Sequence, residues 1–185
     1  MSRKITFLTV SLVCLCLFGL FLQTEAKYKK GNIKFDKQKA TFIDKFAYMV
    51  GTGTYKIRYK FDRAIDPTDL RDRNQNDGSG NKRKNLNVQI ATFLDEHWED
   101  VEAIGDYCKA VDEGLHKQNN NISVPMDGTW SEYFEESLNQ YVRSHVWLFL
   151  AHDCEAASGG LLRAGRLPKV KYEIFWTNSD GSQFS

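Results

Sequence analysis

Strict alternation of apolar and polar residues limits what this chain can fold into more than any other feature. Near the C terminus, four apolar side chains share one face of an extended backbone: Val170, Tyr172, Ile174 and Trp176. In the first half, large apolar side chains again occupy every second position: Tyr55, Ile57, Tyr59 and Phe61. This period is typical of an antiparallel strand with one face on a core and the other in solvent. Both runs therefore predict half-buried strands.

The segment 146–151, with the sequence VWLFLA, is apolar at every position. Such continuity is typical of a strand that is covered on both faces. We expect a long loop to join it to the strand at 170–176, and we expect the core of the domain to lie there. Further strands are predicted at 41–50 and 86–94, and a short one at 32–35.

The triplet Gly51-Thr52-Gly53 indicates a tight reversal, because glycine tolerates positive φ angles. The runs 41–50 and 55–61 on either side of it therefore predict a β-hairpin. The segment 62–85 is polar, with too few apolar side chains to offset the entropy of ordering it. It predicts a mobile surface loop.

The stretch 130–142 has aromatic and aliphatic residues at helical spacing, and Thr129 would suit the helix N-cap. An irregular strand remains the alternative, since aromatic residues suit either structure. We also expect a helical turn at 104–108 and a loop at 111–121.

The first 26 residues have the three parts of a secretory signal peptide. They begin with positive charge, continue with an apolar run over residues 5–22, and end in a small-x-small pattern at Ala26. We expect cleavage after Ala26, although a predominantly apolar run of 18 residues would also suit a retained membrane anchor. The remainder, 27–185, has the length of one domain.

Removal of that signal would leave equal numbers of basic and acidic residues. Nucleic acid is therefore excluded as a partner class, since it requires a basic face. The charge is unevenly distributed, with ten Lys and Arg residues within 27–60 and eight acidic residues within 95–113. We expect strands from these segments to lie side by side and offset each other. The alternative is an exposed basic face for anionic lipid or glycan.

Cys108 and Cys154 are the cysteines that follow the signal segment. An even number in an oxidising compartment predicts a disulfide between them. A metal site is not expected, since neither cysteine belongs to a CxxC motif or lies beside spaced histidines. Asn121 begins the N-glycosylation sequon Asn121-Ile122-Ser123, which predicts a surface position in the secretory lumen.

The run 95–100, with the sequence DEHWED, is the most chemically suggestive stretch. Carboxylates around a histidine could hold a hard cation or form an acid–base pair. No calcium-loop or zinc-helix motif accompanies them, so we interpret the run as an acidic turn with Trp98 folded back on the core. His97 or His152 with neighbouring acids would suit a hydrolase, but no nucleophile lies in a recognisable elbow. We therefore expect no catalytic residue, metal or cofactor.

Three stretches carry a resemblance to a known family. HVWLFLAHDC at 145–154 is an aromatic-rich strand ending at a cysteine, and VKYEIFWTNSDGSQFS at 170–185 is a strand followed by a Thr-Asn turn. FIDKFAYMVGTGTYKIRYKF at 42–61 joins an aromatic strand, a glycine turn and a basic–aromatic strand. These features resemble the luminal domain of the intimal-thickness-receptor-like family, part of the Golgi-dynamics-domain seven-transmembrane proteins. The loops 62–85 and 158–167 are longer than the family pattern, and the seven membrane spans are absent.

The resemblance implies a mainly β fold, an antiparallel β-sandwich with one or two short helices. It further implies a non-enzymatic luminal or extracellular domain that recognises a protein or glycan ligand, or a cargo, for an attached seven-helix bundle. Such receptor-like proteins are linked to G-protein-coupled-receptor-like signalling and to Golgi or cell-surface trafficking. The abrupt end at Ser185 leads us to expect a piece of a longer membrane protein.

A secreted, lectin-like β-sandwich is the alternative function. Aromatic rings beside carboxylates suit sugars, and Trp98 with Asp95 and Glu96 is then the expected ligand face.

Overall fold

The computed structural model describes residues 27–35, 39–66, 85–154 and 169–180. These residues form eight strands, with the following bounds: β1 Lys27–Ile33, β2 Ala40–Tyr48, β3 Gly51–Phe61, β4 Asn85–Leu94, β5 Gln118–Pro125, β6 Phe134–Gln140, β7 His145–His152 and β8 Val170–Thr177. A 3₁₀ turn at Asp95–His97 precedes two helices, α1 Trp98–Ile104 and α2 Tyr107–Asp112. The first sheet has the order β1-β8-β3-β6 and the second β2-β7-β4-β5, all antiparallel. The expected mainly β architecture of an antiparallel sandwich with two short helices is confirmed.

The facing sides of the two sheets form the main hydrophobic core. In β8 and in β3 from Gly53 onward, every second side chain is buried, as their alternating sequences predict. Trp176 is fully buried there, with its ring stacked on Phe46 at a centroid distance of 6.1 Å and edge-to-face with Phe149 at 5.5 Å. Large aromatic rings from both sheets therefore fill the space between them.

Helices α1 and α2 cover the outer face of the second sheet. Leu148 of β7 packs there with Val101 of α1 and Ala110 of α2. The neighbouring Phe149 points the other way, into the main core. β7 is thus covered on both faces, which confirms the prediction from its continuous apolar sequence.

The β-hairpin predicted from the runs 41–50 and 55–61 is wrong, because β2 and β3 lie in different sheets. β7 and β8 also lie in different sheets. Tyr48 at the end of β2 pairs with His145, whereas Gly51 at the start of β3 pairs with Gln140. The connection Met49–Val50 is therefore a corner between sheets, and a φ of 124° at Gly51 lets the chain change direction. A local turn signal specifies the change of direction but not the next pairing partner.

A bulge between Phe42 and Asp44 reverses the faces of β2. A bulge adds one residue to a strand, so side chains before and after it no longer share a parity. Phe46 and Tyr48 are buried in the main core, whereas Phe42 is 39% exposed and its ring lies 5.8 Å from that of Trp98. Phe42 therefore lies on the opposite face of β2 from Phe46 and Tyr48, although all three occupy even-numbered positions.

The helix predicted at 130–142 is also wrong, and the alternative of a strand is confirmed by β6. Backbone pairing with the free edge of β3 outweighs the helical spacing of the aromatic residues. Thr129 does not cap a helix, since its hydroxyl donates to Asp127 Oδ1 at 2.6 Å. The segment 111–121, predicted to be a loop, contains the end of α2 and the start of β5. The helical turn predicted at 104–108 covers the last residue of α1, a two-residue break and the first two residues of α2.

The expected offset between the basic and acidic segments is wrong as well. Residues 95–113 form the 3₁₀ turn and the helices, so they supply no strand to pair with the basic strands. Basic side chains of β3 pair within the first sheet instead, Lys56 with Glu135 at 2.9 Å and Arg58 with Glu173 at 2.6 Å.

Several predictions fall on residues outside the described ranges. The signal peptide at 1–26 is one, and so are the loop at 158–167 and most of the loop at 62–85, namely 67–84. Among the residues that the structure describes, no helix is long and apolar enough to cross a membrane.

Candidate functional site

The ligand face predicted from Asp95, Glu96 and Trp98 divides into two sets of contacts. Asp95 Oδ1 lies 3.0 Å from His145 Nδ1, and Glu96 Oε2 lies 3.1 Å from Arg143 Nη2. Burial alone would raise the pKa of Asp95, but hydrogen bonds from the His145 side chain and the β7 backbone lower it below its ordinary value. Both carboxylates therefore hold the connection between β6 and β7 in place.

Trp98 holds the helices against the second sheet. Its ring lies 5.8 Å from Phe42, 6.1 Å from Phe93 and 6.0 Å from Tyr107. Its indole N–H donates to Glu102 Oε1 at 2.8 Å. Trp98 is half-buried, which confirms that it folds back on apolar neighbours, and its polar atom is already bonded within α1.

The two histidines of the hydrolase hypothesis have different partners. His152 is fully buried, with Nε2 2.8 Å from Asn119 Oδ1 and Nδ1 accepting the Cys154 N–H at 3.4 Å. His97 lies at the surface, 3.7 Å from Glu96 Oε1. Within the described ranges, no group of three or more His, Cys, Asp or Glu side chains could hold a metal ion.

The predicted disulfide between Cys108 and Cys154 is confirmed, with a Cα–Cα distance of 5.3 Å. It joins Cys108, in the first turn of α2, to Cys154, which lies two residues after the end of β7. Asp106 begins α2 by accepting hydrogen bonds from the Cys108 N–H at 2.9 Å and the Lys109 N–H at 3.3 Å. The covalent link therefore fixes the helical layer to the second sheet.

Asn121, the residue of the sequon, lies on β5 at an edge of the second sheet. Its side chain is exposed, whereas the next residue, Ile122, is buried in the main core. The position is therefore accessible to a glycan, and occupancy stays a prediction.

The outer face of the first sheet carries a different candidate, which we call the aromatic face. It consists of four aromatic residues around one ion pair: Tyr28, Trp130, Tyr133, Phe175, Arg58 and Glu173. Arg58 of β3 lies directly opposite Glu173 of β8, and Tyr28 of β1 lies opposite Phe175 of β8. Because buried positions alternate with outward ones, these four side chains all point away from the core.

The chain before β6 brings the other two rings over β3. The Ser131 N–H donates to the Tyr59 carbonyl oxygen at 2.8 Å, and the Tyr59 N–H donates to Ser131 Oγ at 3.0 Å. Trp130 and Tyr133 lie on either side of this buried anchor. Their ring centroids are 4.7 and 4.5 Å from Arg58 Cζ, within cation–π distance.

The ion pair fixes the centre of the aromatic face. Arg58 donates from Nε and Nη2 to Glu173 Oε2 at 2.9 and 2.6 Å, and the Tyr133 hydroxyl donates to the same oxygen at 3.4 Å. The hydrogen bonds from Arg58 hold the pKa of Glu173 below its ordinary value, so the carboxylate is ionised at neutral pH. The two charges offset each other and keep the guanidinium in one orientation.

The rings form a continuous row across the sheet. Tyr28 lies 4.7 Å from Phe175, which lies 5.9 Å from Tyr133. Tyr28 is 45% exposed and Tyr133 is 41% exposed. Lys60 Nζ lies 4.7 Å from the Trp130 ring and adds a positive charge at one end. This surface can stack against a planar or apolar group and can pair with an anionic one.

The aromatic face was not predicted from the sequence. Phe175 was the available signal, because an apolar residue occupies an outward position between Glu173 and Thr177. The remaining members come from segments far apart in the chain, and their meeting depends on the order of strands in the sheet.

Comparison with known proteins gives no family for this chain. Its sequence matches no protein-family model and no curated protein. The resemblance to the intimal-thickness-receptor-like family therefore stays a prediction, and the function has to be argued from the geometry.

Proposed function

We propose that this chain is a non-enzymatic luminal or extracellular domain that recognises a ligand or cargo through the aromatic face. In this proposal it serves a receptor-like seven-transmembrane protein of the Golgi or cell surface. The disulfide between Cys108 and Cys154 and the exposed Asn121 are consistent with the secretory pathway, where disulfides persist and sequons are used. The attached helical bundle and the link to signalling or trafficking rest on the resemblance alone, which is a weaker argument than the geometry.

The observation that carries the proposal is the row of rings on the outer face of the first sheet, in which Tyr28 and Tyr133 are exposed and Phe175 is half-buried. The outward positions of a solvent-facing sheet are normally polar, whereas here Tyr28, Tyr133 and Phe175 are adjacent. Tyrosine, tryptophan and arginine are the residues that dominate binding energy at interfaces, and the two aromatic residues bury much surface while losing little entropy. Arg58 is already held by Glu173, so ligand binding would not have to order it.

A lectin-like function is the second candidate, and the same surface favours it. Exposed aromatic rings next to the carboxylate of Glu173 would suit a sugar, whose ring stacks while its hydroxyls bond to charged groups. This candidate moves the expected sugar site from Trp98 to Tyr133, because the Trp98 indole N–H is bonded to Glu102.

The test compares binding of the tagged chain, made in a eukaryotic secretory system, to a glycan array and to cultured cells. The binding variant is Tyr133→Ser with Phe175→Ser, and the matched control is Phe42→Ser, which removes a 39% exposed ring from the second sheet. Loss of two anchor residues should weaken binding by at least about tenfold, and the control should bind like the unchanged chain.

The two assays separate the candidates. Binding to cells that protease treatment removes supports a protein ligand, and selective binding on the array supports the lectin-like function. If the double variant binds like the unchanged chain in both assays, the aromatic face is not the ligand site. If the unchanged chain binds in neither assay, the proposed recognition function is wrong for both ligand classes.

A further inference from the structure

A second exposed apolar surface lies at one end of the sandwich. We call it the apolar tip and define it by four residues in two connections: Met49 and Val50 between β2 and β3, and Tyr141 and Val142 between β6 and β7. Because Tyr48 pairs with His145 and Gly51 pairs with Gln140, the two connections lie side by side. Each connection crosses from one sheet to the other at this end.

The exposure of the apolar tip is not required by the fold. Tyr141 is 86% exposed and Val142 is 91% exposed, while Met49 and Val50 are 40% and 51% exposed. Connections of this length are normally built from glycine, asparagine, aspartate and serine, which satisfy the turn and remain hydrated. Four large apolar side chains at neighbouring corners therefore indicate a surface that becomes covered.

The path of the chain indicates what covers the tip. Lys27, the first residue of β1, pairs with Trp176, which pairs with Tyr55. Since β1 runs away from the tip, its first residue, Lys27, is the end of the strand that lies nearer to the tip. Tyr55 lies four positions after Gly51, a distance of roughly 13 Å along the strand.

The apolar segment 5–22 is connected to Lys27 through residues 23–26. If that segment is kept as a membrane anchor, the alternative to cleavage after Ala26, the bilayer lies near the end of the fold at which β1 begins, because four residues span at most about 14 Å. β8 also runs toward this end, where the Met49 N–H donates to Asn178 Oδ1 at 2.9 Å. The start of β1 and the end of β8 therefore both lie on the side of the apolar tip.

We infer that the apolar tip inserts into the surface of a lipid bilayer, so that the strands stand upright on the membrane. The charged groups beside the tip are paired, Arg143 with Glu96 and His145 with Asp95, so apolar burial and not attraction to anionic lipid drives the contact. The outer face of the first sheet is parallel to the strands, and the aromatic face would then point sideways into the aqueous phase. The inference is independent of which ligand that face takes.

The experiment places an environment-sensitive fluorophore on the full chain, in a background in which Cys14 and Cys16 are serine. One protein carries the label at Val142→Cys in the tip. The matched control carries it at Asn32→Cys, which is exposed on β1 and pairs with Lys171 near the opposite end. Each is measured in buffer and with phosphatidylcholine vesicles that contain a nitroxide-labelled lipid as quencher, with and without phosphatidylserine.

The expected result is a blue shift and quenching of the label at position 142 in both kinds of vesicle, with the label at position 32 unchanged. Adding Tyr141→Asp should abolish the quenching at position 142. Equal melting temperatures for the labelled proteins check folding, and the comparison of positions 142 and 32 stands even if the Tyr141 variant fails to fold.

Three results would overturn the inference. The label at position 142 could remain in water when vesicles are present. It could be protected in buffer in a concentration-dependent way, which would mean that a second copy covers the tip. It could be protected in buffer at every concentration, which would mean that the chain covers its own tip.

Discussion

Acidification should destabilise this protein through His152, which is fully buried behind the disulfide. Nδ1 accepts the Cys154 N–H, so the proton of the neutral imidazole sits on Nε2 and is donated to Asn119 Oδ1. A second proton would have to bind at Nδ1, and the hydrogen bond that Nδ1 accepts from the Cys154 N–H would then be lost. Burial, with a smaller contribution from His116, lowers the pKa of His152 to about 4.

The size of the effect follows from the difference between the folded and unfolded pKa values. Above the unfolded pKa of about 6.5, the imidazole is neutral in both states and its contribution to stability is complete. As the pH falls, only the unfolded chain gains the proton, and the unfolding free energy drops by about 1.4 kcal/mol for each pH unit. The loss should reach about 3 kcal/mol by pH 4, where the folded histidine begins to titrate.

The assay is urea unfolding at half-unit steps from pH 7.5 to pH 4, for the unchanged chain and for His152→Gln. Glutamine can still donate to Asn119 but does not titrate, so the stability difference between the two proteins isolates the histidine. Between pH 7.5 and pH 4, the unchanged chain should lose about 3 kcal/mol more unfolding free energy than His152→Gln loses. The exposed control Tyr141→Ala should stay within about 0.5 kcal/mol of the unchanged chain throughout. A difference that is the same at pH 4 and pH 7.5 would refute a neutral, buried His152.

Three further perturbations test other parts of the structure. Replacing Cys108 and Cys154 by serine should lower the unfolding free energy by about 4 kcal/mol in the chain-entropy model of a 46-residue loop, measured by urea unfolding with the reduced parent as control. Gly53→Ala should cost about 2 kcal/mol, because its Cβ would overlap the buried ring of Tyr48, and an unchanged melting temperature would contradict that packing. Asn121→Gln should remove one glycan from material made in eukaryotic cells, seen as a mass decrease that glycosidase treatment reproduces, and identical masses would show that the sequon is unused.

The strands could be predicted because each pattern reflects the local environment of one strand. The alternating sequences of β3 and β8 indicate strands with one buried face, and the continuous apolar sequence of β7 indicates a strand with two buried faces. These are properties of a few adjacent residues, so no knowledge of strand order was required. The bulge between Phe42 and Asp44 could not be predicted in this way, since one extra residue reverses the faces of β2 without leaving a clear sequence signal.

The pairing of strands could not be predicted in the same way. A short connection with glycine, such as the one before Gly53, serves a hairpin or a corner between sheets equally well. The choice is made by packing, because Tyr48 on the second sheet and Tyr55 on the first enter the same main core from opposite sides. Pairs such as Arg58 with Glu173 are 115 residues apart and exist only once that choice is made.

The layered arrangement gives a reason to place recognition on the first sheet and not on the second. In the part of the chain that the structure describes, α1 and α2 cover the outer face of the second sheet and the disulfide fixes them there. Trp98, the aromatic residue that the sequence favoured, is used to hold that layer. On the first sheet, the described residues place no helix over the outward positions, and aromatic rings remain exposed beside an ion pair. Apolar surface that the protein's own packing leaves exposed is the surface most available to a ligand.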